Sequence, residues 1–270
     1  MTERGSRWPH ALATIVAAVL GSLFLLFIAA PLVGIVTTGG AGGAGALWHD
    51  AELRQSLWLT AWTATAATVL GVVGATPVAY LLARRRIPGG AVVAAVLDLP
   101  LVVPHPVAGI ALLLVLGRQS AMGGALYHLG LRVTGSPEGI IAAMLFVSAP
   151  LFVSAARDTF ERVDARYEAV ARTLGDGPWR AFRRVALPLS IRGLAAAGVV
   201  MWARAVSEFG AIVILAYNPR VVSVLSYDRF TTTGLAGALP VAAVLVVCAL
   251  VVLIVLRTLS GPRLDGAGRA

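Results

Sequence analysis

Six apolar runs, each suited to crossing a bilayer, constrain this chain more than any other feature; they cover residues 11–36, 56–83, 91–117, 139–156, 193–217 and 235–256. A crossing helix takes about 20 residues. The first run, from Ala11 to Ala30, follows Arg4 and Arg7 and so has the charge pattern of a secretory leader. It exceeds the roughly 7–15 apolar residues of such a leader and is expected to remain as a span. The fold expected from these runs is an all-α integral membrane protein, a single transmembrane domain over 1–270 with six helices.

Composition agrees with the runs. The chain is 58% hydrophobic and only 13% charged, too few charges to cover the surface of a soluble domain. All 22 basic residues are arginine. With no lysine the chain cannot build a P-loop, whose lysine holds the β- and γ-phosphates. Any work driven by ATP and magnesium must therefore come from another chain, and no cofactor is expected on this one. The pI of 11.1 invites a nucleic-acid reading, but the arginines lie between apolar runs and not on one soluble face. With the N-terminus inside, sixteen arginines fall in cytoplasmic segments and five in outer ones, which places both termini in the cytoplasm. Cys248 lies in an apolar run and is read as packing. His10, His49 and His128 show no spacing that suggests a metal site. The glycines from Gly39 to Gly45 read as a flexible outer loop.

Residues 157–192 differ from the rest. They carry eight arginines, together with Asp158, Glu161, Asp164 and Glu168. Leu174-Gly175-Asp176-Gly177-Pro178 is a helix stop followed by a restart, since glycine suits the turn and proline the first turn of a new helix. Trp179, Phe182 and Val185 recur at helical spacing, and Leu187-Pro188 is read as ending that short helix. The segment is either a solvated basic loop or a helix–turn–helix with an apolar stripe. Aromatic residues favour the second, because the stripe needs a partner surface or the underside of the bundle to bury it.

Glu168-Ala169-Val170-Ala171-Arg172-Thr173-Leu174-Gly175, followed after nine residues by Val185-Ala186-Leu187-Pro188, resembles the EAA motif of ABC importer permeases. Glu168 stands one residue further from Gly175 than in sugar permeases, a spelling similar to that of the oxyanion branch. The stretches 98–113, 207–217 and 227–230 resemble permeases for tungstate and molybdate. The resemblance implies an ABC type I importer permease of the inner membrane, with cytoplasmic coupling helices. It implies a homodimer, two ABC ATPase subunits and an extracytoplasmic oxyanion-binding protein that delivers the anion. Glu168, Ala169, Ala171, Gly175, Pro178, Trp179, Phe182, Leu187 and Pro188 would then form the ATPase-coupling element. In it, Glu168 and Arg172, Arg180, Arg183 and Arg184 would make polar contacts, and Trp179 and Phe182 would be the apolar anchor.

Charges within apolar runs usually face the bundle interior or water, which singles out Asp98, Arg204 and Glu208. Arg204 and Glu208 are four apart and share a helical face. They suit either a pair that locks the fifth helix or a cation that attracts an anion. Pro104-His105-Pro106 interrupts the third run, and broken helices at membrane depth are tolerated mainly beside a cavity or within protein. His105 is either a ligand contact or gate, or a packing histidine. Pro104, His105, Arg204, Ser207 and Glu208 are the candidates for a translocation pathway. The competing readings are a sulfate/thiosulfate permease, a transporter driven by an ion gradient, and an intramembrane enzyme. Asp98 and Glu208 are the only intramembrane carboxylates available to the second, and only His105 serves the third.

Overall fold

The apolar runs become helices, and no strand occurs among the residues that the structure, a computed structural model, describes: 8–259. Arg4, Arg7, Arg263 and Arg269, used above to orient the chain, lie outside them. In chain order the helices are α1 (Trp8–His49), α2 (Ala51–Ala83), α3 (Gly90–Val102), α4 (His105–Leu116), α5 (Ala121–His128) and α6 (Pro137–Glu161). They continue with α7 (Ala165–Thr173), α8 (Pro178–Ala181), a π-helical turn (Phe182–Ala186), α9 (Leu187–Val206), α10 (Gly210–Leu215) and α11 (Val222–Leu259). Among the described residues five helices are long and apolar enough to cross a membrane, or six when α3 and α4 count as one broken span bent by 115°.

Three elements depart from the sequence reading. The glycines 39–45 are helical and extend α1 to His49. Their reason is packing: a Cβ on Gly39 would collide with the carbonyl of Leu239, and one on Gly43 would lie 2.9 Å from that of Pro240. Close approach of backbones outweighs the low helix propensity of glycine. The run 193–217 is not one helix; α9 stops at Val206 and α10 restarts at Gly210. Leu187-Pro188 does not end the short helix, because the chain passes from α8 through the π turn into α9. Pro188 has no N–H to offer four residues back, and the Leu187 N–H instead reaches the Phe182 carbonyl five back.

The chain forms two compact units. In one, the described residues up to Ala51 pack with Arg229–Val255 of α11, and Arg229 pairs with Asp50 at 2.5 Å. Cys248 is exposed there, contrary to the expected packing role. The other unit, Glu52–Asp228, is built around α6, whose 25 residues span about 37 Å at 1.5 Å each, more than a bilayer core of about 30 Å. Ile140, Met144 and Ile212 fill its core at one end of α6, and Phe152, Phe160 and Phe182 at the other.

Candidate functional site

The segment after α6 is shaped by local chemistry. Asp164 caps α7 by accepting the Arg166 N–H at 2.8 Å. The end of α7 is a Schellman turn: Asp176 N–H donates to the Ala171 carbonyl and Gly175 N–H to that of Arg172, with Gly175 at φ 97°. Arg184 closes the turn by pairing with Asp176 at 3.2 Å. This is why Gly175 stops one helix and Pro178 starts the next.

Glu168 does not face outward. It is 4% exposed, and its carboxylate accepts hydrogen bonds from Tyr80 at 2.5 Å and from Arg84 Nε at 2.8 Å. Arg84 Nη2 comes within 2.6 Å of the same oxygen without the alignment of a hydrogen bond, and Nη1 donates to the Phe160 carbonyl. One buried carboxylate thus ties α7 to the ends of α2 and α6. The expectation that Glu168 makes polar contacts with a partner is corrected: its charge is consumed within the chain. Phe182 is likewise received by the chain, with its ring 4.6 Å from Tyr80 and 6.2 Å from Phe160. Trp179 stacks on Phe182 but is 65% exposed. Ala169, Gly175, Pro178 and Pro188 are exposed, while Ala171 and Leu187 are half-buried. The arginines Arg172, Arg180, Arg183 and Arg184 are exposed as well. Sequence reasoning missed Tyr80, Arg84 and Phe160, distant in the chain, and also the exposure of Tyr167, Val170 and Leu174.

The second cluster gathers the residues singled out at the breaks. Glu208, 1% exposed, accepts from Arg204 Nη2 at 2.8 Å and, through its other oxygen, from the Ala211 N–H that opens α10. Arg204 Nη2 also lies 2.8 Å from His105 Nε2, and Nη1 donates to Ser207 Oγ at 3.3 Å. His105 comes from the first turn of α4, which Pro104 caps. The two broken runs meet because glycines let them: a Cβ on Gly210 would sit 2.6 Å from that of His105, and one on Gly109 2.8 Å from the Ala211 carbonyl. Asp98 joins neither cluster and is exposed on α3. The side chains of His105 and Arg204 remain 42% and 20% exposed, although Glu208 is enclosed. The cluster therefore holds a neutralised cation with one open side.

Helices of this length and polarity, with two broken runs meeting at one polar cluster, define a multi-pass membrane protein with built breaks. Residues 75–265 match the family of binding-protein-dependent transport system inner membrane components, and the chain belongs to that family. It is 38% identical over 247 residues to the molybdate/tungstate transport system permease protein of Thermococcus kodakarensis, covering 90% of this chain and 94% of that one. It is 36% identical over 197 residues to the molybdenum transport system permease protein of Escherichia coli K12, covering 71% and 86%. The fold is that of a bacterial alginate ABC transporter chain, solved with a pentasaccharide-bound periplasmic protein. That match has a TM-score of 0.72 at 17% identity over 99% of this chain and 100% of that one. A chain of the MetNI methionine ABC transporter in an inward-facing form matches with a TM-score of 0.60 at 16% identity, over 77% and 94%.

Proposed function

We propose that this chain is the membrane subunit of an ATP-driven importer for molybdate- and tungstate-type oxyanions. The observation that carries the reading is its 38% identity, across 94% of the relative's length, to a permease named for those anions. Two copies form the pathway and two ATPase subunits bind below, since each chain has one EAA-like segment. An extracytoplasmic binding protein delivers the anion, and ATP and magnesium are used by the ATPase alone. The arginine asymmetry supports both termini in the cytoplasm.

The structure suggests how the ends communicate. Trp179, and Tyr167, Val170 and Leu174 at helical spacing along α7, offer the ATPase an exposed apolar surface among exposed arginines. Movement of that patch is carried by Glu168 to α2 and α6, and by the continuous stretch from α8 to α9 toward Arg204. The 20 residues of α9 cover about 30 Å, so one helix joins the coupling end to the second cluster. Rearrangement of α4 against α10 would then expose or withdraw Arg204 from the passing anion.

The test is uptake by proteoliposomes holding the chain with its ATPase and binding protein. Molybdate or tungstate should accumulate only with ATP, and sulfate should be taken up much less well. Uptake driven by an ion gradient without the ATPase, or a clear preference for sulfate, would overturn the reading.

A further inference from the structure

Where α4 gives way to α5, and again just before α6, the chain leaves a cavity of about 200 Å³ lined by Leu116, Arg118, Gly123, Tyr127, Arg132 and Thr134. The guanidinium of Arg118 lies 4.1 Å from the centre of the Tyr127 ring, and that of Arg132 lies 5.9 Å from it. Neither has a carboxylate within ion-pair distance among the described residues, whereas Arg84, Arg157, Arg184, Arg204, Arg220 and Arg229 all do. A guanidinium held by its face on an aromatic ring keeps its N–H edge free, and that edge matches the oxygens of an oxyanion. No carboxylate lines the cavity to repel one.

We infer that this cavity is a binding site for a tetrahedral oxyanion, resting on the importer reading above. Its place in the fold gives it a role. Leu116 ends α4 at the cavity, and His105 begins α4 at the Arg204–Glu208 cluster. The 12 residues of α4 separate the two by about 18 Å. The cavity is also at the start of α6, while the Glu168 segment follows its end. An anion released to the chain thus meets first a pair of arginines with their charge uncancelled. It then meets Arg204, whose charge Glu208 already balances. That order favours capture first and release afterwards, which conduction through a pathway requires. Because Arg118 and Arg132 are exposed, binding is weak and sensitive to salt.

The same chemistry suits a lipid phosphate, so the experiment separates the two sources. The permease–ATPase assembly, without binding protein, is placed in nanodiscs of neutral lipid and equilibrated with radiolabelled molybdate. Wild type should bind saturably, and Arg118→Ala/Arg132→Ala should weaken binding about tenfold or more. Each single variant should show part of the loss, and Arg54→Ala, an equal loss of charge on α2, none. Unchanged melting of the variants shows that folding is not the cause. Equal binding by wild type and the double variant, or none by wild type, overturns the site. In discs containing phosphatidylglycerol, persistent molybdate binding supports it. Loss of binding with undiminished uptake in that lipid assigns the cavity to a headgroup and overturns its place in transport. ATP-driven uptake by the wild-type assembly is measured separately: its absence defeats the importer reading, whereas uptake with unaltered binding by the double variant defeats this site alone.

Discussion

Glu168 and Glu208 are both buried, both paired with an arginine and both beside a helix end, yet their surroundings differ. The groups that hydrogen-bond Glu168 are enclosed: Arg84 has a side chain 8% exposed, and Tyr80 is packed between Phe160 and Phe182, while Arg86, 37% exposed, reaches the carboxylate only at 4.0 Å. Glu208 is equally enclosed, but its partners Arg204 and His105 reach an open face. The first arrangement fixes one segment against two helices. The second keeps a cation in place without sealing it. Burial of the acid is common to both; what separates a latch from a site is the exposure of the base that hydrogen-bonds it, Arg84 at 8% against Arg204 at 20%.

The sharpest break in the comparison is Glu168→Ala. It strands Arg84 and the Tyr80 hydroxyl without their acceptor, and removing one partner of a buried ion pair costs about 3–5 kcal/mol. Thermal unfolding of the solubilised chain should fall accordingly, and ATPase association should weaken with it. Replacing Arg84 by Met in the same chain should restore part of the stability, because the uncompensated charge is then gone. An unaltered melting curve for Glu168→Ala would remove the distinction between the two glutamates.

Next in size are two changes at the break. Gly210→Ala places a methyl against His105 Cβ and Pro106, and overpacking of this kind costs about 1–3 kcal/mol. Uptake should fall as α4 is pushed from α10. Arg204→Ala leaves Glu208 with the Ala211 N–H and His105 nearby, so the stability loss should be smaller than for Glu168→Ala, about 1–2 kcal/mol. Its main effect should be on uptake, with ATP hydrolysis retained. Loss of stability as large as at Glu168, with transport intact among the folded molecules, would make Arg204–Glu208 a second latch.

The legible parts of this fold are those written in local chemistry. Glycine at 175 and proline at 178 announce a stop and restart that the Schellman turn realises. The four-residue spacing of Arg204 and Glu208 announces their pair, and the two prolines announce the break in the third run. Long-range packing was hidden. The helical glycines at 39–45 depend on α11, nearly two hundred positions onward, and the break after Val206 depends on Glu208 capping α10. Periodicity placed Trp179 and Phe182 on one stripe but could not say that Tyr80 and Phe160 receive only the second. The same limit applies to Glu168, whose partner Arg84 lies across four intervening helices in sequence.

The smallest change in stability should come from Trp179→Ala. Its ring lies 5.2 Å from Phe182, nearly parallel, but most of its surface is open. What is lost within the chain is one aromatic contact, worth about 0.5–1.5 kcal/mol. Phe182→Ala instead empties a space beside the Tyr80 and Phe160 rings, at about 3–5 kcal/mol. The two neighbours on one stripe should therefore separate cleanly. Phe182→Ala should lower the melting temperature and reduce ATPase association only through that loss, so conditions that restore folding should restore binding. Trp179→Ala should leave melting nearly unchanged while ATPase association, read by co-purification and by stimulated ATP hydrolysis, falls about tenfold or more, as expected for an exposed aromatic at the centre of an interface. Trp179→Phe, which keeps an aromatic surface, should recover much of it. If Trp179→Ala binds the ATPase as wild type does, the exposed ring is surface only, and the docking contact must be sought at Tyr167, Val170 and Leu174.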